Sequence, residues 1–188
     1  MTTSFTFRRL LLFVVLPLYL IDQATKWWIV THFEHGDIHP VIPGFFNLVR
    51  VHNQGVAFGM GNGTAWAPFV FLFVPLIALV VIAMLWERGF FPDFVSRLAV
   101  GLLLTGIFGN LTDRLVQGFF LPGLRGASFW TRLSNGYVVD FLDFKLSLYA
   151  KIVPSSGGHW PSFNVADSCI CVAAVLLFLA GLKGEKKD

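Results

Sequence analysis

A chain of 188 residues that is 55% hydrophobic and only 13% charged differs from soluble domains, in which about 25% of the residues are charged. Its apolar residues form four long runs, which predicts one polytopic membrane domain over residues 1–188 and excludes a typical soluble protein. The formal net charge of +3 comes without a basic cluster, so nucleic acid is not an expected partner.

The first apolar run covers residues 10–30 and follows Arg8 and Arg9. It is long enough to cross the hydrocarbon core of a bilayer, which is about 30 Å thick. A cleaved signal peptide is the alternative, because a basic pair followed by the apolar residues 10–21 has that form. No small-residue cleavage site follows, however, and apolar residues resume at 27–30.

Two charged residues interrupt this first span. Asp22 and Lys26 are four positions apart, so they share one helix face and are able to form an ion pair. Such a pair is either purely structural or part of the wall of a functional site.

The segment 31–64 is polar and rich in turn residues. A strand-like run at 45–51 is followed by the turn Asn53-Gln54-Gly55 and by residues 56–59, which predicts a small antiparallel sheet on the membrane surface. Three histidines lie in this segment. Their spacing matches no strong metal motif, so we expect no metal site. These histidines are His32, His35 and His39.

Three further spans are predicted at 65–86, 97–115 and 165–182, with an outer segment at 116–164 between the last two. The third span repeats small residues every fourth position, which favours close helix packing. These residues are Gly101, Thr105 and Gly109. The polar end of this span places Asn110, Asp113 and Arg114 within one helical turn.

The outer segment that follows contains aromatic residues of the kind found at a membrane interface. They are Phe119, Phe120, Phe129 and Trp130.

The distribution of basic residues predicts the orientation. Basic residues are dense at both termini and around the short loop at 87–96, whereas those of the two long segments are spread thinly. Because basic residues mark the cytoplasmic side, both termini are expected there, with 31–64 and 116–164 outside.

With this topology, eight polar residues from five parts of the chain lie at one depth near the outer membrane surface. They are Asp22, Lys26, Asn53, Asn110, Arg114, Asp140, Asn164 and Asp167. Ionisable residues are costly in a membrane, so this layer is a functional-site hypothesis.

The available motifs leave carboxylate chemistry as the catalytic option. The sequence contains neither H-E-x-x-H nor G-x-S-x-G, which argues against a metalloprotease and a serine nucleophile.

Asp140 interrupts the apolar run at 137–144, which is either strand-like or a short helix. Two close carboxyl groups share a proton, as in aspartic peptidases. For Asp167 the alternative is structural, with Asn164 capping the last helix and the helix dipole favouring the acid.

Five motifs together resemble lipoprotein signal peptidase, the bacterial type II signal peptidase. They occur in the family's order and span residues 22–168. They are D-Q-A-T-K at 22–26, N-Q-G-V-A-F-G at 53–59, G-N-L-T-D-R at 109–114, V-V-D-F at 138–141 and F-N-V-A-D-S at 163–168.

The resemblance implies an all-α polytopic membrane protein with four transmembrane helices and a small periplasmic β-sheet between spans one and two. It implies an aspartic endopeptidase in the inner membrane that cuts prolipoproteins just before a diacylglyceryl-modified cysteine, and that globomycin inhibits. Asp140 and Asp167 match the catalytic pair. The supporting site residues match Asp22, Lys26, Asn53, Asn110, Arg114 and Asn164. We expect a monomer with no cofactor, in contact with membrane lipids.

The chain departs from the family pattern in its second outer segment, where 116–137 and 145–162 are longer than usual. A different class of protein is the main alternative: a small ion- or proton-coupled transporter, in which Asp22, Asp140 and Asp167 would form a relay. Four spans without an internal repeat are few for that architecture. A non-catalytic membrane scaffold is the other alternative.

Overall fold

The computed structural model describes residues 6–55 and 66–184. In chain order the helices and strands are α1 Phe7–His32, β1 Ile38–Ile42, β2 Phe46–Asn53, α2 Ala67–Glu87, α3 Phe94–Val116, α4 Phe129–Ser134, β3 Val138–Phe144, α5 Ser147–Ile152 and α6 Val165–Gly184. Among the described residues, four helices are long and apolar enough to cross a membrane, and they are α1, α2, α3 and α6. Four candidate membrane helices therefore lie where the four spans are predicted, with ends that differ by a few residues.

The described residues form two compact units. The first, here called the helical unit, contains the chain up to Asp22, Leu72–Leu111 and the chain from Val165 onwards. The second, here called the sheet unit, contains Gln23–Phe71 and Thr112–Asn164.

The helical unit is built on close contacts of α3, as the small residues of the third span predict. A Cβ added at Gly101 would lie 2.6 Å from Leu10 Cδ1, so the Leu10 side chain would have to shift to accept a larger residue. Leu10 belongs to a buried apolar cluster with Val100 and Leu104. The hydroxyl of Thr105, the next small residue, donates to the Gly101 carbonyl at 2.9 Å and so satisfies its own hydrogen-bonding need within the helix.

Gly109 makes the tightest of the predicted small-residue contacts. A Cβ there would lie 2.5 Å from Asp22 Oδ2 and 2.9 Å from Ala166 Cβ. We expect Gly109→Ala to lower the free energy of unfolding by about 1–3 kcal/mol, because a methyl group would push against a buried carboxylate. Equilibrium unfolding in mixed micelles measures this change.

Gly181 provides the matched control for this substitution. It lies inside α6, and a Cβ added there meets nothing within 4 Å. Gly181→Ala should leave stability unchanged or raise it by up to about 1 kcal/mol, since alanine is the better helix former. Equal losses in the two variants would mean that close packing does not explain Gly109.

The sheet unit contains a three-stranded antiparallel sheet with the order β1-β2-β3. The strand-like run at 45–51 is confirmed as β2. The sheet is not confined to the segment between the first two spans, however, because β3 comes from the segment at 116–164. The run at 137–144 is thus a strand and not a short helix. Residues 56–59, also expected near this sheet, lie outside the described residues.

The chain after β3 returns alongside the same strand. Leu142 N donates to the Phe163 carbonyl at 2.8 Å, and Phe163 N donates back to the Leu142 carbonyl at 3.1 Å. Trp160 N also donates to the Phe144 carbonyl at 2.8 Å. β3 is consequently bonded on both edges, and the return places Asn164 next to it.

Candidate active site

Asp140 lies on β3 and is almost fully buried, with 2% of its surface exposed. Asn53 Nδ2 donates to its Oδ2 at 3.0 Å, and Asn164 Nδ2 donates to its Oδ1 at 2.8 Å. Both carboxylate oxygens thus accept an amide N–H. Because such donors stabilise the charged form, they offset part of the cost of burying the carboxylate. These three residues are called the Asp140 cluster below.

The two asparagines of the Asp140 cluster are held by the backbone. Asn53 ends β2, and its Oδ1 accepts the Gly55 N–H at 3.0 Å, which fixes the side chain with its nitrogen toward Asp140. Asn164 is fully buried, directly follows Phe163 and also reaches the Val139 carbonyl at 3.3 Å. The predicted site residues Asn53, Asn164 and Asp140 are therefore brought together by strand pairing.

A buried ion pair supports the strand immediately before Asp140. Lys26 Nζ lies 3.1 Å from Asp113 Oδ2, and the two side chains are only 2% and 1% exposed. The same Asp113 oxygen accepts the Val139 backbone N–H at 3.0 Å. Val139 precedes Asp140 in the chain, so Asp113 fixes the backbone that carries the candidate catalytic acid.

Sequence reasoning did not include Asp113 among the candidate site residues. The available signal was an acid at the polar end of α3, where a buried carboxylate needs a partner. Lys26 is placed as expected, in a buried polar environment, although here its partner is Asp113. The pairing of Lys26 with Asp22 that the sequence predicts stays a prediction.

Arg114 holds the turn that follows Asn53. Its Nη2 donates to the Gly55 carbonyl at 3.0 Å, and its guanidinium lies 5.1 Å from the centre of the Phe71 ring. The cation–π contact and the hydrogen bond fix the guanidinium in one orientation. Arg114 therefore acts on the Asp140 cluster through the backbone at Gly55.

The helical unit carries the second candidate acid, in the first turn of α6. Asn110 Nδ2 donates to Asp167 Oδ1 at 2.7 Å. Asp22, which is fully buried, accepts the Ala166 N–H at 2.9 Å and so satisfies one of the first backbone donors of this helix. These three acidic and amide side chains, Asp22, Asn110 and Asp167, are called the Asp167 cluster below. That the two clusters act together stays a prediction.

Asp143 has different surroundings, although it is three residues from Asp140. Its Oδ2 accepts the Asn47 amide at 2.7 Å, across the β2–β3 pairing. His159 Nδ1 lies 2.9 Å from the same oxygen. Asp143 therefore anchors the long connection after β3 to the sheet.

The histidines of the first outer segment have aromatic partners. The His52 ring stacks on Tyr137 with centroids 3.7 Å apart and lies 4.1 Å from His35. Burial, followed by the charges of His35 and Arg50, lowers the pKa of His52 from 6.5 to about 3, so this side chain is neutral near pH 7. Within residues 6–55 and 66–184, no three His, Cys, Asp or Glu side chains are arranged to hold a metal ion.

Comparison with known proteins identifies the family. The sequence signature described as Signal peptidase (SPase) II matches residues 14–183, which is most of the chain. The chain belongs to the signal peptidase II family. As a member of this family with four apolar helices, it is a peptidase and a multi-pass inner-membrane protein.

Relatives and solved structures agree with this membership of the signal peptidase II family. A protein of Syntrophotalea carbinolica named "Lipoprotein signal peptidase" is 38% identical over 173 residues, covering 92% of this chain and 90% of the relative. A protein of Ralstonia nicotianae with the same name is 37% identical over 169 residues, covering 89% and 81%. A structure described as a "Bacterial membrane enzyme" at 2.3 Å resolution matches with a TM-score of 0.72 and 27% identity, covering 93% of this chain and 89% of that one. A second such structure, at 1.9 Å, matches with a TM-score of 0.67 and 26% identity, covering 90% of each chain.

Proposed function

We propose that this protein is an intramembrane aspartic endopeptidase that removes signal peptides from diacylglyceryl-modified prolipoproteins, cutting just before the lipidated cysteine. The observation that carries this proposal is the buried carboxylate of Asp140 with an amide donor on each oxygen, in a member of the signal peptidase II family. A carboxylate held in this way is oriented and desolvated, as a catalytic base requires.

We infer that Asp140 and Asp167 form the catalytic dyad. Support comes from the chain itself, because Asn164 donates to Asp140 and Asp167 follows Asn164 by only three residues. Each acid is also oriented by an asparagine amide, from Asn164 in one case and Asn110 in the other. The dyad would carry one proton, because two close carboxylates do not readily both ionise.

In the proposed reaction, the ionised carboxylate accepts a proton from water as the water oxygen attacks the carbonyl carbon of the scissile peptide bond. The protonated carboxyl donates a hydrogen bond to the carbonyl oxygen and stabilises the tetrahedral intermediate. The C–N bond then breaks, and a proton from the dyad passes to the leaving nitrogen.

The remaining site residues are proposed to act by positioning. Asp22 satisfies the start of α6 beside Asp167, and Asn110 orients Asp167 directly. Lys26 neutralises Asp113, which holds β3, and Arg114 fixes the Gly55 turn beside Asn53. We further propose a monomer in one membrane-embedded peptidase domain, inhibited by globomycin-type cyclic peptides and independent of a cofactor.

Incubation of the purified protein with a diacylglyceryl-modified prolipoprotein tests the function. We expect release of the signal peptide with a new amino terminus at the lipidated cysteine, inhibition by globomycin and no effect of a metal chelator. A small proton-coupled transporter is the alternative, since buried acids also relay protons. Proton flux in proteoliposomes without cleavage would support the transporter, and activity restored by zinc after chelation would exclude a mechanism based on carboxylates alone.

We also propose that both termini are cytoplasmic and that the dyad lies near the periplasmic face, because basic residues concentrate at the termini and the short loop. Gly123 is a suitable labelling site, since an added Cβ meets nothing within 4 Å. In a Cys169→Ala/Cys171→Ala background, Gly123→Cys should react with an impermeant thiol reagent in intact spheroplasts. Labelling only after lysis would reverse the proposed orientation.

A further inference from the structure

The connection between α3 and β3 is a folded element of its own. Residues 117–136, here called the aromatic insert, contain two short 3-10 turns, at Gln117–Phe119 and Pro122–Leu124, followed by α4. Ser128 caps α4, because its Oγ accepts the Thr131 N–H at 3.1 Å. The insert therefore has a defined surface.

The base of the aromatic insert is closed by backbone contacts. Arg132 Nη2 donates to the Phe119 carbonyl at 3.0 Å, and its guanidinium lies 5.2 Å from the centre of the Phe119 ring. Gly118 packs against the Arg132 carbonyl and Gly136 against the Arg114 carbonyl, where any Cβ would clash. These contacts fix the two ends of the insert.

The outer surface of the aromatic insert is apolar. Phe120, Phe129 and Trp130 are 66%, 57% and 72% exposed. The Phe129 ring packs 5.5 Å from Phe119 and 5.4 Å from Trp130, so the rings of Phe119, Phe129 and Trp130 form one patch. Clustered exposed aromatic rings mark a surface that meets an apolar environment.

The charge of the aromatic insert is purely cationic. Arg125 is exposed near the tip and Arg132 is half-buried, while no acidic residue occurs between Asp113 and Asp140. A cationic surface with aromatic rings complements an anionic lipid headgroup layer, in which the rings occupy the interface and arginine binds phosphate.

The position of the aromatic insert in the chain points to the same surface. The candidate membrane span Phe94–Phe119 ends where the insert begins, so the chain is at the membrane boundary there. We propose that the aromatic insert docks on the anionic headgroup layer of the membrane, with Phe120, Phe129 and Trp130 at the interface and Arg125 on lipid phosphate. This docking is independent of the proposed catalytic dyad.

Spin labelling of the full chain tests the docking. In a Cys169→Ala/Cys171→Ala background, a nitroxide is placed on Phe129→Cys or, as control, on Ser134→Cys. Ser134 is exposed on the same helix but points about 140° away, because each residue turns the helix by about 100°. The protein is placed in nanodiscs of phosphatidylcholine alone or of an equal mixture with phosphatidylglycerol.

At position 129 we expect the nitroxide to collide more often with oxygen, which partitions into lipid, than with a polar nickel chelate. At position 134 we expect it to collide more often with the nickel chelate. In the mixed nanodiscs, Arg125→Gln should lower the equilibrium constant for immersion about fivefold, which corresponds to about 1 kcal/mol for one basic residue. Each variant's thermal unfolding midpoint shows whether it remains folded.

Three results would overturn the proposal. If the label at position 129 were as accessible to the nickel chelate as the label at position 134, the patch would not enter the interface. A label shielded from both oxygen and nickel would show that the patch binds protein instead. If the immersed fraction changed neither with phosphatidylglycerol nor with Arg125→Gln, headgroup charge would play no part in the docking.

Discussion

Asp140→Asn and Asp167→Asn should each abolish cleavage of a lipidated prolipoprotein, lowering kcat by about 10⁴-fold or more. An asparagine preserves the shape of the side chain but neither accepts a proton from water nor shares one with a second acid. At Asp140 the new amide would also face the donors of Asn53 and Asn164, where the native oxygens accept. Single-turnover cleavage of purified variants measures the loss.

The double variant separates a dyad from two independent acids. If the two carboxyl groups act as one unit, Asp140→Asn/Asp167→Asn should be no slower than either single variant. Losses that multiply would show that the two acids contribute separately, and the proposed dyad would be wrong.

Asp143→Asn is the matched control on the same strand. Asp143 is also buried, but it bonds Asn47 and His159 and is not part of the Asp140 cluster. Its asparagine variant should lose stability while keeping far more activity than Asp140→Asn. An inactive Asp143→Asn beside an active Asp140→Asn would assign catalysis to the other aspartate.

Breaking the buried ion pair should have the largest effect on folding. Lys26→Met removes the ammonium that lies 3.1 Å from the Asp113 carboxylate, and Asp113→Asn removes the negative charge of that carboxylate. We expect either variant to lower the free energy of unfolding by about 3–5 kcal/mol, because removing one charge of a buried pair is strongly destabilising. Equilibrium unfolding in mixed micelles measures both.

A double-mutant cycle tests this explanation. In Lys26→Met/Asp113→Asn, the asparagine oxygen still accepts the Val139 N–H, and neither side chain of the pair carries a charge. Most of the lost stability should therefore return. Additive losses would mean that the two side chains do not act as a pair.

An exposed contact between a histidine and an aspartate in the same unit is the control. His39 Nε2 lies 3.8 Å from Asp37 Oδ2, and these side chains are 59% and 41% exposed. Asp37→Asn should change stability by less than about 1 kcal/mol, since solvent already screens the pair.

The sequence was sufficient to predict the features that depend on local pattern. Four apolar runs predicted four spans, a strand-like run bounded by turn residues predicted β2, and small residues every fourth position predicted the close approach at Gly101 and Gly109. These signals are local, because length, periodicity and side-chain size are readable without knowledge of the partner.

Long-range pairing could not be predicted in this way. The run at 137–144 is too short for its pattern to distinguish a strand from a helix, so β3 was not assigned to the sheet. The support that Asp113 gives to Val139 spans 26 positions, and that from Asn164 to Asp140 spans 24. Such contacts depend on how the strands register, which a single sequence does not encode locally.

Hydrogen bonding along both edges of β3 affects how this strand opens locally. Because Leu142 is bonded to Phe163 as well as lying opposite β2, the strand cannot fray without also releasing the residue that precedes Asn164. Opening of the strand and loss of the amide on Asp140 are therefore one cooperative event. Inactive, partly opened molecules should form only through a sub-global unfolding step, in which the backbone amides of Leu142 and Phe163 exchange their hydrogens together.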